Sequence, residues 1–325
     1  MDNLIFALNT TIPIFLLMVV GYFLKSAKLI DDVFASKLNS FVFKVSLPVL
    51  VFEDLATVDF KEAWNGKFVL FCFAVTVASI TISSLISLCL RSKNERGEFI
   101  QASYRSSAAL LGLAFIQNIY GSSGLGPLMI IGSVPLYNIC ACIVLTITSP
   151  SRNDNATSAS GSTDKIDTAI IRKTVISVLK NPIIIGIFVG LVWSFFHLPL
   201  PSVIASVVGR IGATATPLGL IAMGASFEWK KAAKCGSTAI AASFIKLIGY
   251  GALFLPVAIA MGYRKEELIA ILVMLCSATT VSCYVMAKNM GHEAVLTSAV
   301  VMLTTFLSAF TLTGWLFILK TFSLI

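Results

Sequence analysis

Charge is what this sequence has least of: 12% of its 325 residues are Asp, Glu, Lys or Arg, against roughly 25% in a soluble globular domain. That scarcity excludes a water-facing surface over most of the chain. Histidine is limited to His197 and His292, both at the ends of apolar runs. No H-E-x-x-H, no G-x-S-x-G and no paired core carboxylates occur, which removes the zinc-hydrolase and serine-hydrolase readings. No G-x-x-x-x-G-K-[ST] loop offers a nucleotide site for an ATP-driven pump. The chain is therefore read as a protein that is not an enzyme and needs no cofactor. Seven cysteines lie mostly inside apolar runs without C-x-x-C or Cys/His spacing, so they are small packing residues, with no metal and no disulfide framework. A basic n-region is also lacking: MDN precedes the first run and no small-residue cleavage site follows, so that run is read as a mature helix.

What fills the chain instead is apolar residue, 57% of the total, with a mean hydropathy of +0.91. A helix needs about 20 apolar residues to cross a bilayer. Such stretches recur ten times, at about 4–24, 38–58, 67–90, 99–120, 125–148, 175–196, 202–227, 237–262, 267–288 and 295–319. This leaves no room for a soluble domain. The formal net charge is +8, but its placement does not suggest nucleic acid. With the N-terminus outside, fifteen Lys and Arg fall in inner loops and five in outer loops and the C-terminus. The positive-inside rule then places both termini outside a cytoplasmic membrane.

One connection, 149–168 (SPSRNDNATSASGSTDKIDT), is long and hydrophilic, a flexible linker on the inner side by its Ser, Thr, Asn, Asp and Gly content. It separates a first five-helix repeat, 1–148, from a second, 169–325. Five spans is an odd number, so a repeat between the halves must be inverted across the membrane. Landmarks recur at nearly one offset: Pro13 and Pro182, Gly21 and Gly190, and Pro48 and Pro217 are each 169 apart, and Gly121 and Gly291 are 170 apart. In this registration EFIQASYRSSAALLGLAFIQNIYG (Glu98–Gly121) is the fourth span of its half and the stretch containing LCSATTVSCYVMAK the fourth of the other. Both carry small polar residues in mid-run, the sequence mark of paired interrupted helices that meet at a transport site. The fold expected is all-α, with ten transmembrane helices in two inverted five-helix repeats whose fourth and ninth helices are interrupted and cross near the midplane.

Four cations, Lys44, Arg105, Arg210 and Lys246, fall inside spans, whereas the acids at span depth are Glu53 and Asp54. A cationic excess at depth calls for an anionic ligand, because a buried charge needs a partner. Arg105 suits a carboxylate through its planar fork. Lys44 either binds or snorkels, and Arg210 and Lys246 are assigned to structure or snorkelling. Half-helix ends supply N–H groups for an anion, with Ser106, Ser107, Ser277, Thr279, Thr280 and Ser282 adding polar groups beside them. Asn138 joins this set, since an amide deep in an apolar helix must bond something. Glu53 and Asp54 are the candidates for coupling a proton.

Six pieces in order carry a family resemblance: SLPVLVFEDLA (Ser46–Ala56), YRSSAALLGLA (Tyr104–Ala114) with YGSSGLGP, VPLYN (Val134–Asn138), LKNPIIIGIFVGL (Leu179–Leu191), TPLGLIAMGASF (Thr216–Phe227) and SATTVSCYVMAKNMG (Ser277–Gly291). Over essentially all ten spans the chain resembles the auxin efflux carrier family, in its bacterial branch. The resemblance implies a ten-helix inverted-repeat fold, a scaffold and a transport domain, elevator-like movement, and weak-acid or dicarboxylate substrates. It also implies Pro–Asn where this chain has Ser106-Ser107, Gly-x-Pro where it has Gly112-Leu113-Ala114, and a proline at Ala278, so the breaks here are expected to be less enforced. The function expected is secondary transport of small organic anions such as carboxylates by efflux or exchange, with a sodium-coupled carrier of the bile-acid type or a non-transporting membrane ligand sensor as alternatives. The partners expected are the anion, membrane lipid, a proton, and a second copy of the chain in a homodimer, with no nucleic acid.

Overall fold

The computed structural model describes residues 2–56, 65–90, 92–121, 125–149, 176, 178–196 and 198–325. The interdomain linker expected at 149–168 lies outside the described residues except for Ser149. The described chain is helical, without strands. In order it runs α1 (Asp2–Ser26), α2 (Asp32–Ala56), α3 (Gly66–Ser87), α4 (Arg96–Tyr104), α5 (Leu113–Tyr120), α6 (Gly126–Ile147), α7 (Pro182–Phe195), α8 (Ser202–Ala225), α9 (Trp229–Lys234), α10 (Gly236–Ala260), α11 (Lys265–Cys276), α12 (Ser282–Asn289) and α13 (Val295–Thr321). Six of these, α2, α3, α6, α8, α10 and α13, are long and apolar enough to cross a membrane, and α7 is a shorter apolar helix.

Local chemistry sets the boundaries. The Asp31 carboxylate accepts the Phe34 N–H at 2.6 Å, which starts α2 several residues before the apolar run begins. The Asn65 side chain does the same for α3, accepting the Phe68 N–H at 3.1 Å. Asn181 followed by Pro182 opens α7, with the amide oxygen accepting the Ile183 N–H at 2.9 Å. Within the span expected at 175–196, α7 is a 14-residue helix. Gly121 ends α5 in the left-handed conformation, φ +74°, where a side chain would be strained.

Packing forms two groups. In one, α1 lies along α8 and α2 lies along α7 and α8, and α1 also packs along α13 of the other group. In the other, α3 packs on α4 and α6, α10 on α11 and α13, and the short helices α4, α5, α11 and α12 sit among them. Every residue of α11 from Leu268 to Cys276 is buried, so LIAILVMLC is apolar on all faces because protein surrounds it. The polar helix α4 is equally enclosed, with Glu98, Gln101 and Ser103 all buried. Large side chains such as Phe188, Phe195, Val203, Phe244 and Phe317 point outward, as a lipid-facing surface requires. Glu98 is a third deep carboxylate beside Glu53 and Asp54. It accepts the Ala294 and Thr297 N–H groups at 2.8 and 2.9 Å and the Thr297 hydroxyl at 3.0 Å, tying α4 to the first turn of α13.

Close approach in the first group depends on glycine. A Cβ on Gly21 would lie 2.2 Å from the Ile221 carbonyl oxygen of α8, and one on Gly190 would lie 3.0 Å from the Phe52 carbonyl oxygen of α2. Residues 169 apart thus serve the same purpose, each letting an apolar helix approach a neighbour's backbone. Gly21→Val is expected to overpack this contact at a cost of ~1–3 kcal/mol or more. Gly314, with no atom within 4 Å of its Cβ position, is the control, and Gly314→Ala should leave stability unchanged or raise it by up to ~1 kcal/mol. Thermal unfolding of the two variants in detergent measures the difference.

Candidate functional site

Two chain segments break where the second group is most polar. After Tyr104 the backbone leaves the helix, Arg105 being extended at φ −74°, ψ +133°, and it returns through a π turn at Ala108–Gly112 into α5. After Cys276 it leaves again, Ser277 being extended at φ −71°, ψ +163°, and it resumes at α12. The two breaks touch. The Ser107 N–H donates to the Ala278 carbonyl at 2.9 Å, the Thr279 hydroxyl donates to the Ala102 carbonyl at 2.8 Å, and the Thr304 hydroxyl of α13 accepts the Thr279 N–H at 3.0 Å. Neither break contains proline. The Ser106 hydroxyl does part of that work, donating to the Met274 carbonyl in the last turn of α11, and the Tyr137 hydroxyl donates to the same oxygen at 3.2 Å. Carbonyls that helix continuation would have satisfied are met by side chains, as a non-lipid-facing break demands.

Lys246 completes the crossing. It was expected to be structural or to snorkel, and snorkelling is excluded because it is 0% exposed. It lies in a π turn of α10, Ile245–Gly249. Its ammonium donates to the Leu275 carbonyl at 2.6 Å, to the Tyr104 carbonyl at 3.5 Å and to the Ser106 hydroxyl. A lysine at mid-span without an acid three or four residues away was the available sequence signal.

On the other side of the breaks is a cavity of about 140 Å³. Ser107, Ala108 and Ala109 bring the first turn leading into α5 to its wall, and Thr280, Val281 and Ser282 bring the first turn of α12. Arg105, Asn138 of α6 and Asp54 of α2 also line it, and Leu47, Val51, Val134, Ala215 and Val285 make the apolar remainder. The wall contributed by α2 and α8 belongs to the first packing group, so the cavity lies on the seam between the two.

Arg105 is 2% exposed. One terminal nitrogen donates to the Asn138 amide oxygen at 2.7 Å and to the Ser282 hydroxyl at 2.8 Å, and the other meets the Met286 sulfur at 2.8 Å. All of these partners are neutral. Its Nε is buried with no acceptor among the described residues. Asn138 is oriented for this role by donating its own NH₂ to the Val134 carbonyl at 3.0 Å.

Of the residues expected at the site, the structure gathers Arg105, Ser106, Ser107, Asn138, Thr280, Ser282 and Asp54 around one cavity. It places four others elsewhere. Lys44 is exposed on α2, because the π turn Val42–Ser46 directs Ser46, not Lys44, inward to the Thr214 hydroxyl at 2.8 Å. Thr279 is used up in tying the crossing together. Ser277 is buried off the cavity, its hydroxyl without a partner among the described residues. Glu53 lies against Gly209 and Gly212 of α8.

Long apolar helices with an outward aliphatic and aromatic surface, enclosing a polar crossing, make this an all-helical multi-pass membrane protein. The membrane transport protein family matches residues 6–316, and the chain belongs to that family, the auxin efflux carrier family of membrane transporters. A comparison with curated proteins finds no match. A small-molecule substrate and a lipid environment follow from the family.

Side chains that hold the break should separate from those that do not. Ser106→Ala removes a donor to Met274 and an acceptor from Lys246, and is expected to cost ~1–3 kcal/mol. Ser107 joins the crossing through its backbone N–H, so Ser107→Ala should stay within about 0.5 kcal/mol of the parent. Comparing their thermal unfolding tests the assignment.

Proposed function

We propose that the chain is a secondary transporter of small organic anions and that the cavity at the crossing holds the anionic group. The observation that carries this reading is Arg105, a buried guanidinium whose partners are all neutral. A buried cation of this kind favours a counter-charge beside it. The backbone adds to it, because the turns leading into α5 and α12 begin at the cavity wall, and each helix N-terminus carries roughly half a positive charge. An anion between them would meet a fork of Arg105 and two helix ends. An apolar cavity of about 150 Å³ accommodates benzene, so a space of 140 Å³ suits a short carboxylate whose tail rests on Leu47, Val51 and Val285.

The seam supports elevator-type movement, since one packing group contributes the breaks and the other an apolar wall with few polar ties. The 169-residue offset and the matched glycines at 21 and 190 support an inverted repeat of ten spans. The distribution of Lys and Arg supports a cytoplasmic membrane with both termini outside. Asp54, on the cavity wall, is the carboxylate positioned to carry a proton with the anion, whereas Glu53 faces α8.

Uptake of radiolabelled short mono- and dicarboxylates into proteoliposomes tests this reading. Arg105→Ala is expected to abolish flux, and an Arg105→Ala protein transporting at the parental rate would overturn the assignment. Asn138→Asp places a carboxylate beside the Arg105 fork and competes with the substrate. Charged hydrogen bonds of ~1.5–3 kcal/mol correspond to roughly a tenfold to hundredfold loss of affinity. That loss should accompany an unchanged or raised melting temperature. Asp54→Asn is expected to keep anion exchange while removing the response to an imposed pH gradient.

A further inference from the structure

A second cavity, of about 240 Å³, shares no residue with the one at the crossing. It is a groove floored by α1 and α8, which touch there: a Cβ on Gly224 would run into the Met18 carbonyl. Met302 of α13 closes it on the side of the other packing group, so the groove follows a line where the two groups meet. Its lining is almost wholly apolar, and Phe23 and Trp229 are 64% and 58% exposed at its rim. A groove of this kind in a lipid-facing surface takes up whatever the bilayer offers. Any selectivity therefore comes from its ends.

One end is built differently. Tyr22 meets Trp229 edge to face with 6.4 Å between ring centroids, and Phe227 meets Trp229 at 4.9 Å. Tyr and Trp collect at the level of lipid headgroups, where an apolar ring and a polar edge are both served. Here α1 stops four residues after Tyr22 and α9 begins at Trp229, and cations follow at once. Lys230 and Lys234 are exposed and four residues apart on α9, on one face of it, and Lys28 lies two residues past α1. Lys25 and Lys231 are paired, with Asp32 at 2.5 Å and Glu228 at 3.0 Å, whereas Lys28, Lys230 and Lys234 have no acidic partner among the described residues. An apolar slot, an aromatic collar and unpaired ammonium groups, in that order, complement the acyl chain, ester region and phosphate of an anionic glycerophospholipid.

We propose that the groove binds an anionic phospholipid of the phosphatidylglycerol type from the adjoining leaflet, with one acyl chain between α1, α8 and Met302 and its headgroup on Lys28, Lys230 and Lys234. The chain contributes little selectivity, since every lipid has one, and the headgroup charge selects. A lipid so placed touches both packing groups at their junction.

The fluorescence of Trp229 in the reconstituted full chain reads the occupant. The protein is placed in phosphatidylcholine vesicles that contain an increasing fraction of phosphatidylglycerol, or of phosphatidylcholine, with brominated acyl chains, which quench an indole on contact. The Trp229 signal is the difference between the parent and Trp229→Phe. Brominated phosphatidylglycerol is expected to quench it at a mole fraction lower by roughly fivefold or more, the factor that one lysine near a charged lipid surface supplies, and added salt should narrow the gap. A triple variant, Lys28→Gln with Lys230→Gln and Lys234→Gln, should be quenched equally by both lipids. Val19→Phe, which fills the slot without changing charge, should move the phosphatidylglycerol curve to higher mole fraction; if that variant does not fold, the triple variant decides. Equal quenching of the parent by both lipids would overturn the proposal, as would an undiminished preference in the triple variant. Quenching by neither lipid would show the groove covered by protein, such as a second copy of the chain, and would overturn it as well.

Discussion

Interrupting a helix inside a membrane creates two carbonyl-rich ends and two amide-rich ends in a place where water cannot serve them. Everything at the centre of this protein answers that constraint. The carbonyl-rich ends of α4 and α11 converge on Lys246, Ser106 and Tyr137. The amide-rich ends leading into α5 and α12 converge on a cavity lined by Arg105, Asn138 and Asp54. Sorting by sign makes one side a closed structural joint and turns the amide-rich ends towards the cavity on the other. The carbonyls of the joint are met by side-chain donors, whereas the Arg105 guanidinium at the cavity has neutral hydrogen-bond partners.

The same division explains why residues of one chemical type differ in use. Thr279 and Thr280 are adjacent, yet the first is spent on the Ala102 carbonyl and on Thr304, while the second stands on the cavity wall beside Ser282. Ser106 belongs to the joint by its hydroxyl and Ser107 by its backbone. Prolines would enforce such breaks by removing donors and blocking helix continuation. This chain lacks them at both places, and the crossing is instead held by a network of side-chain donors, a serine, a threonine, a tyrosine and a lysine. Glu98 extends that support to the far end of α4, where it satisfies the opening turn of α13.

The helices of the first group meet the crossing through apolar side chains such as Leu47, Val51 and Ala215, and glycines bring the backbones close within that group. Gly21 and Gly190 stand in for each other in the two halves of the chain. The apolar contacts across the seam are shape-dependent and carry few polar ties. A surface of that kind resists separation while remaining free of the hydrogen bonds that would lock a sliding seam.

Periodicity and composition determined the membrane class, the positions of six long apolar helices, and the two places where an apolar run could not be a plain helix, because small polar residues and Arg105 inside a hydrophobic stretch are costly unless protein surrounds them. The motifs from Ser46 to Gly291 pointed to the family. Which polar side chains share a cavity was not legible, because it depends on the rotation of each short helix about its axis after a break, and that is set by partners more than a hundred residues away. Lys44 and Lys246 look alike as mid-span lysines. Tertiary packing sent the first outward from a π turn of α2 and closed the second over two helix ends, since only at the crossing do enough carbonyl oxygens converge to replace the water that a buried ammonium gives up.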